Sequence, residues 1–330
     1  DVYWLKHSQL INGRDFGSGA IWVPAAPVSF GIVQDAAKTL GVDALALSAA
    51  PAGESFKLQS QRIALYDQYG GLMPSGWDRW LFEQYEFPFQ VVYPQTLDAG
   101  DLKKQFDVIV FTDGSFGKTE REDEPRHPPT PENTPEEYRR MLGQITAGKT
   151  IPALRKFMDA GGEIIAIGSA TRMAKLLGAP VDDYLEQIGT DGKPHPLPRD
   201  KFYIPGSLLK MDVDIENPLA YGMPDQVDVF FDNSPVFRLL PTAADKRAAP
   251  VGWFSTPTPL ISGWAWGQAY LEGGTAVAET KIGAGKLLLF GPEITFRAQP
   301  HATFKFLFNA LHYATAQSGT ALEKEIRPRP

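Results

Sequence analysis

"EIIAIGSATRMAKLLG", residues Glu163 to Gly178, decides how this chain folds. An apolar run, Ile164 to Ile167, meets Gly168-Ser169-Ala170 and passes at once into a helical pattern with Met173, Leu176 and Leu177 on one side. A strand that breaks into a helix at a corner of small residues is where several α/β enzymes hold a nucleophile, because the tight turn lifts one side chain above the sheet. Ser169 is therefore the first residue to weigh.

The segments around this corner repeat its logic. Arg62–Asp67 reads as a strand and Ser75–Phe87 as a helix, with Trp77, Trp80, Leu81 and Tyr85 at helical spacing and the tryptophan pair expected in the core. Gln90–Pro94 is a strand, Leu97–Phe106 a short helix, and Asp107–Gly114 a strand of near-continuous Val, Ile and Phe, as expected when both faces are covered. Ile151–Gly162 is a helix stopped by a glycine pair, leading into the opening strand. Consecutive β-α-β units with short links predict an α/β fold, a doubly wound parallel sheet with helices on both faces. Ligands of such sheets bind beyond the carboxyl ends of the strands, which puts the Asp67–Ser75, Asp113–Thr150 and Gly168–Thr171 loops on one rim.

The charged, proline-rich Asp113–Thr150 loop is expected to be a solvated excursion ending in a helix begun by Thr134-Pro135-Glu136-Glu137. Residues 181–260, rich in Asp, Pro and Gly with short apolar pieces, suggest an irregular β-containing insertion. Gly274–Pro292 reads as two strands joined at Gly283-Ala284-Gly285, and Thr303–Ala314 as a closing amphipathic helix. Residues 1–60 form a small αβ segment, too small to stand alone and expected to pack on the main domain or on something upstream. The expected division is thus 1–60, a domain over 61–317, and a tail over 318–330.

Composition narrows the function classes. The 330 residues, 43% hydrophobic, suffice for a substantial core, and the net charge of −7 without any basic, aromatic-interleaved stretch sets nucleic acid aside. No apolar run reaches the roughly 18 to 20 residues of a membrane span. The chain opens at "DVYWLKHSQL" without Met or a signal-like segment, read as a trimmed start. With no cysteine, disulfides, thiolate metal sites and a Cys nucleophile are excluded together.

For Ser169 to attack, it needs a base, an orienting carboxylate and oxyanion donors. His301 is the available base and Glu293 the available orienting group, but the corner reads Ile167-Gly168-Ser169-Ala170-Thr171 rather than G-x-S-x-G, so the expectation is a small residue capping the following helix. Arg297 and His301, in "FRAQPHATFK" (Phe296–Lys305), are candidates for binding a carboxylate. Trp264 and Trp266 alternate onto one face and suit a sugar or peptide. Asp67, Asp78 and Asp113 lie near strand ends, where capping is the ordinary role; Asp113 is also a ligand-binding candidate.

The segments "RIALYDQYGGLMPSGWDRWLFEQYEFPFQVVYP", "LRKFMDAGGEIIAIGSATRMAKLLGAPV", "PLAYGMP" and "LISGWAWGQAYLEGGTAVAETKIGAGKLLLFGPEITFRAQPHATFKFLFNAL" occur in that order. Together they resemble the C-terminal half of bacterial zinc carboxypeptidase-like proteins of the carboxypeptidase A type, a half that looks like a class I glutamine amidotransferase domain with a flavodoxin-like fold. The resemblance runs from Arg62 to Ala314, and Gly19–Val42 is similar to the segment that precedes that half.

The family carries its zinc upstream, through a His-x-x-Glu pair and a distant His. None of His7, His127, His195, His301 and His312 is followed three residues later by Glu, so the resemblance implies no zinc or other cofactor on this chain. The amidotransferase nucleophile is Cys, and its position resembles Ser169. What the resemblance implies is a non-catalytic accessory region, positioning substrate or scaffolding, in an exported protein of the periplasm or exterior. Its partners would be an upstream carboxypeptidase domain or its peptide, or a cell-wall or sugar ligand. The rival expectations are a Ser169–His301 acyl-transfer hydrolase and a sugar- or peptide-binding assembly module.

Overall fold

In a computed structural model, residues 1–116, 129–242 and 248–319 are described. The main path of the large sheet is built from β1 (Ile63–Tyr66), β2 (Phe89–Val92), β3 (Val108–Phe111), β4 (Glu163–Ile167), β5 (Pro205–Val213), β6 (Gln226–Asp232), β7 (Ala248–Trp253), β8 (Thr275–Ile282) and β9 (Gly285–Phe290), and the short strands Val181–Asp183, Phe237–Leu239 and Leu260–Ser262 pair beside it. Its longer helices are α1 (Met73–Gln84), α2 (Thr150–Asp159) and α3 (His301–Ala314). The strands lie in the order β6-β5-β7-β8-β9-β4-β3-β1-β2.

From β9 to β2 every pairing is parallel. Taken in chain sequence, these five strands have the order 2-1-3-4-5, which is that of the flavodoxin-like doubly wound fold. The chain is an α/β domain of that class. The strands are buried on both faces because alternate residues feed two cores. Ile63 and Leu65 of β1 join α1 and α3 through Phe82, Phe306 and Leu307. Ala64 and Tyr66 join α2 on the other face through Leu154, Phe157 and Met158.

The segment expected as a β-containing insertion, residues 181–260, does supply strands. Of these, β5, β6 and β7 continue the main sheet as an antiparallel wing, joined through β8, which pairs with β9 across the turn expected at Gly283-Ala284-Gly285. The wing's alternation is plain in β5, where Ser207, Leu209, Met211 and Val213 are buried and the residues between them are not.

Other departures are local. The segment 97–106 forms two short helices, Pro94–Asp98 and Leu102–Gln105, separated by Gly100 at φ 77°. The turn started by Pro135 is a 3₁₀ helix, Glu136–Met141; residues 117–128 of the preceding loop, His127 among them, lie outside those described. In α1 the helical period holds but its phase differs. The buried residues are Ser75, Asp78, Leu81 and Phe82, whereas Trp77 and Trp80 are 37% and 44% exposed and meet edge-on at 6.4 Å.

The N-terminal segment makes a four-stranded sheet of Gln317–Gly319, Ser55–Lys57, Tyr3–Leu5 and Ile21–Trp22, so residues 317–319 belong with it rather than with the main sheet. It rests on the main domain through Trp4, whose ring meets Tyr221 and His312 edge-on. The N-terminal helix, Ser29–Leu40, buries none of its residues and leaves Phe30, Ile32 and Leu40 exposed.

Candidate functional site

The carboxyl ends of β1, β3, β4 and β9 open onto one rim, together with the start of α1. Asp67, directly after β1, accepts the Gln68 and Leu72 backbone N–H groups, both at 2.8 Å, and shapes the loop that starts α1. After β3, the Asp113 carboxylate accepts the Ser169 N–H at 2.7 Å. After β4, Gly168 stands at φ 60°, and a Cβ there would lie 2.5 Å from the Asp113 Oδ1. That residue carries the strained backbone of the corner, which only glycine adopts without cost. Ser169 follows it, with its Oγ accepting the Gly114 N–H at 2.8 Å.

These ends enclose a cleft of about 20 Å³, walled by Met73, Pro74 and Trp77 of α1, Thr112 and Asp113 after β3, Ile167 of β4, and Glu293, Thr295, Phe296 and Arg297 beyond β9. Of the residues singled out in the sequence, Asp113, Glu293 and Arg297 therefore meet. Arg297 lies over the Phe296 ring at 5.1 Å, and Phe296 in turn stacks on Phe230 at 3.8 Å. Arg297 and Ala298 have φ of 48° and 52°, two consecutive left-handed residues without glycine, a conformation that the surrounding structure must impose.

Burial, with Asp113, Asp232 and Asp78 nearby, pushes the Glu293 carboxyl up to about 7 against the pull of Arg297. Asp78, one helical turn from Pro74, is 0% exposed, and burial pushes it up to about 7 as well. The Thr295 hydroxyl beside it favours the ionised form, yet neither carboxylate oxygen makes a well-formed hydrogen bond.

His301 opens α3 in an exposed position, its ring 5.0 Å from that of Phe304. Among the described hydrogen bonds it meets neither Ser169 nor Glu293. Trp264 and Trp266 lie away from the cleft walls, 54% and 53% exposed. Trp266 bridges Tyr203 across two backbone hydrogen bonds and donates its Nε1–H to the Asp200 carbonyl at 2.7 Å, while the Trp264 ring meets Tyr203 edge-on at 6.0 Å. The three rings thus share one face of a locked ribbon.

Sequence reasoning passed over Met73, Pro74, Thr295 and Phe296 as cleft residues. Pro74 in the first turn of a helix that starts at the rim is the one signal that pointed there. The described residues contain no group of three or more His, Asp or Glu able to hold a metal ion. No helix among them is long and apolar enough to cross a membrane.

The fold and rim define a flavodoxin-like α/β domain with a cleft of mixed polar and apolar lining beyond the carboxyl ends of β3, β4 and β9. No protein-family model and no curated protein matches the sequence. Among solved structures, the chain is similar to a ThuA-like protein from Bacteroides uniformis, at 12% identity over 82% of this chain and 95% of that one, with a TM-score of 0.43. A glutamine amidotransferase from Thermotoga maritima shares 12% identity over 78% and 91% of the two chains, with a TM-score of 0.38. A β-galactosidase from Bacillus circulans shares 8% over 76% of this chain and 30% of its own, with a TM-score of 0.41. The strand order itself, rather than these distant likenesses, carries the fold.

Proposed function

We propose that this chain is a non-catalytic, amidotransferase-like accessory region, one that positions a substrate or braces a neighbouring domain in an exported zinc carboxypeptidase-like protein. The observation that carries the reading is Gly168. The strained position of the corner, where an elbow presents its nucleophile, has no side chain. Ser169, one residue on, has its Oγ engaged by the Gly114 N–H, and none of the described hydrogen bonds joins it to His301. The peptidase setting and the periplasmic or secreted location rest on the ordered sequence segments alone; zinc and peptide hydrolysis would belong to the upstream domain. The exposed apolar residues of the Ser29–Leu40 helix are in keeping with a neighbour.

Incubating the folded chain with a fluorophosphonate probe and, separately, with glutamine tests the reading. Unlabelled Ser169 and ammonia release at the buffer rate are expected; labelling of Ser169, or its loss of turnover on substitution by Ala, overturns it in favour of the acyl-transfer hydrolase.

A second reading, a saccharide-binding module, is favoured by the locked and half-exposed Trp264 and Trp266. Flat rings held in place bind at small cost in side-chain entropy. Tryptophan fluorescence titrated with oligosaccharides checks it, and a saturable change that disappears in Trp264→Ala is the expected sign.

A further inference from the structure

The wing carries an aromatic face whose rings are held in place without being covered. Phe202 and Ile204 point into the core, and Ala265 on the neighbouring ribbon packs against that core, so Tyr203, Trp264 and Trp266 turn the other way. The two tryptophans stay half-exposed, and the Tyr203 ring meets that of Trp264 edge-on. Their backbone is already engaged. Ser207 Oγ bonds both the N–H and the carbonyl of Trp264, and Trp266 exchanges both of its backbone hydrogen bonds with Tyr203. A peptide that adds as a strand needs open N–H and C=O groups, and these two residues offer none. What they offer is ring faces fixed in advance, which suit the flat C–H face of a sugar at small cost in side-chain entropy.

Charge at one end of the face narrows the sugar. The Arg199 guanidinium lies over the Tyr203 ring, 4.6 Å from its centroid, and enters none of the described ion pairs. Lys201, two residues on, donates to the neutral Gln187 Oε1 at 2.6 Å. Asp200 is the one acid in the stretch from Leu197 to Ile204, and its backbone carbonyl accepts the Trp266 indole N–H. Two cations against one carboxylate leave this stretch net positive. A guanidinium laid flat on a ring keeps its N–H edges for a planar, bidentate acceptor, and a carboxylate is such an acceptor.

We propose that the Tyr203–Trp264–Trp266 face binds a saccharide that carries carboxylate groups, a uronic acid, with a sugar ring on the tryptophans and its carboxylate at Arg199. The inference rests on the saccharide-binding reading above and adds to it the class of sugar.

The test is a titration of the full chain with trigalacturonate, with its methyl ester, which keeps the sugar rings and loses the charge, and with an oligoproline peptide, followed by tryptophan fluorescence and by calorimetry. Saturable binding of the acid is expected, lost in Trp264→Ala and weakened about tenfold or more in the ester and in Arg199→Ala, as the loss of a charge-assisted contact implies. Arg199→Lys, which keeps the charge without the fork, should fall between Arg199→Ala and the parent. Arg199 and Trp264 are both exposed, so unfolding midpoints close to the parent's are expected to separate lost binding from damage to the fold. An ester that binds as tightly as the acid, still through Trp264, overturns the inference and leaves the saccharide reading standing. Undiminished binding of the acid in Arg199→Ala does the same. No saturable binding of either sugar, or tighter binding of oligoproline at Trp264, overturns both.

Discussion

Asp113 and Ser169 bind each other's loops across the rim: the Asp113 carboxylate accepts the Ser169 N–H at 2.7 Å, while the Ser169 hydroxyl accepts the N–H of Gly114 at 2.8 Å. The ends of β3 and β4 are thereby tied, with Gly168 inside the knot. Ser169→Ala is expected to cost about 1 kcal/mol, one ordinary hydrogen bond. Gly168→Ala is expected to cost more, roughly 2–3 kcal/mol, because it combines a left-handed φ with a collision against Asp113. Urea unfolding of the two variants checks the order, and a Gly168→Ala protein as stable as its parent contradicts it.

Stability is expected to fall between about pH 4 and pH 7. In the unfolded chain Asp78, Glu163 and Glu293 lose their protons near pH 4. In the fold, burial first of all holds each of them up to about 7. Between those values the folded form binds more protons, so raising the pH favours unfolding until the folded carboxyls ionise and the loss levels off. Asp107, held below the usual range by Arg62 and then Lys103, works in the opposite sense and only below pH 4. Asp78→Asn should flatten part of the slope and exceed the parent by on the order of 1–3 kcal/mol at pH 8. Urea midpoints measured from pH 4 to pH 8 give the answer; a midpoint that rises across that range contradicts it.

The Ser29–Leu40 helix should exchange its amide hydrogens early. A 12-residue helix is marginal in water, and this one has no buried residue to hold it. Hydrogen–deuterium exchange of the isolated chain is expected to label residues 29–40 well before α2 and α3, which bury Leu154 and Phe157, and Phe306 and Leu307. Slow exchange at 29–40 would mean that its apolar residues are covered.

Trp264→Ala should change stability by less than about 1 kcal/mol, since the ring is half exposed and the backbone is held by Ser207 Oγ on both its N–H and carbonyl sides. Trp266→Ala should cost somewhat more, because its indole N–H bond to Asp200 is lost as well. Thermal unfolding of the pair separates the two effects.

Much of the parallel half was legible because its signals are local. Val108–Phe111 and Glu163–Ile167 are apolar runs stopped by turn residues, and each lies between helices with clear stops. The antiparallel wing was not, because strands such as Ala248–Trp253 contain Pro250 and Gly252 and find their partners through register shifts at those residues. In α1 the period was readable but its phase was not. Two tryptophans outweigh an aspartate in any count of hydrophobicity, yet the fold turns Asp78 inward and leaves Trp77 and Trp80 at the surface. The corner likewise drew attention to Ser169, while the strained backbone falls on Gly168, a distinction that φ alone makes. The cleft needed Glu293, Arg297, Asp113 and Met73 to meet from three separate parts of the chain, which no local pattern announces.

The small N-terminal sheet has a mechanical meaning. Tyr3–Leu5 and Gln317–Gly319 both run antiparallel to Ser55–Lys57, on its two sides, and so run parallel to one another. Tension applied between residues 2 and 319 therefore pulls these ladders lengthwise, loading their bonds together rather than peeling them one at a time. The large sheet and its rim bear none of that load until the small sheet yields. Such a pairing resists a pull along its strands, and the cleft lies outside the path of that pull.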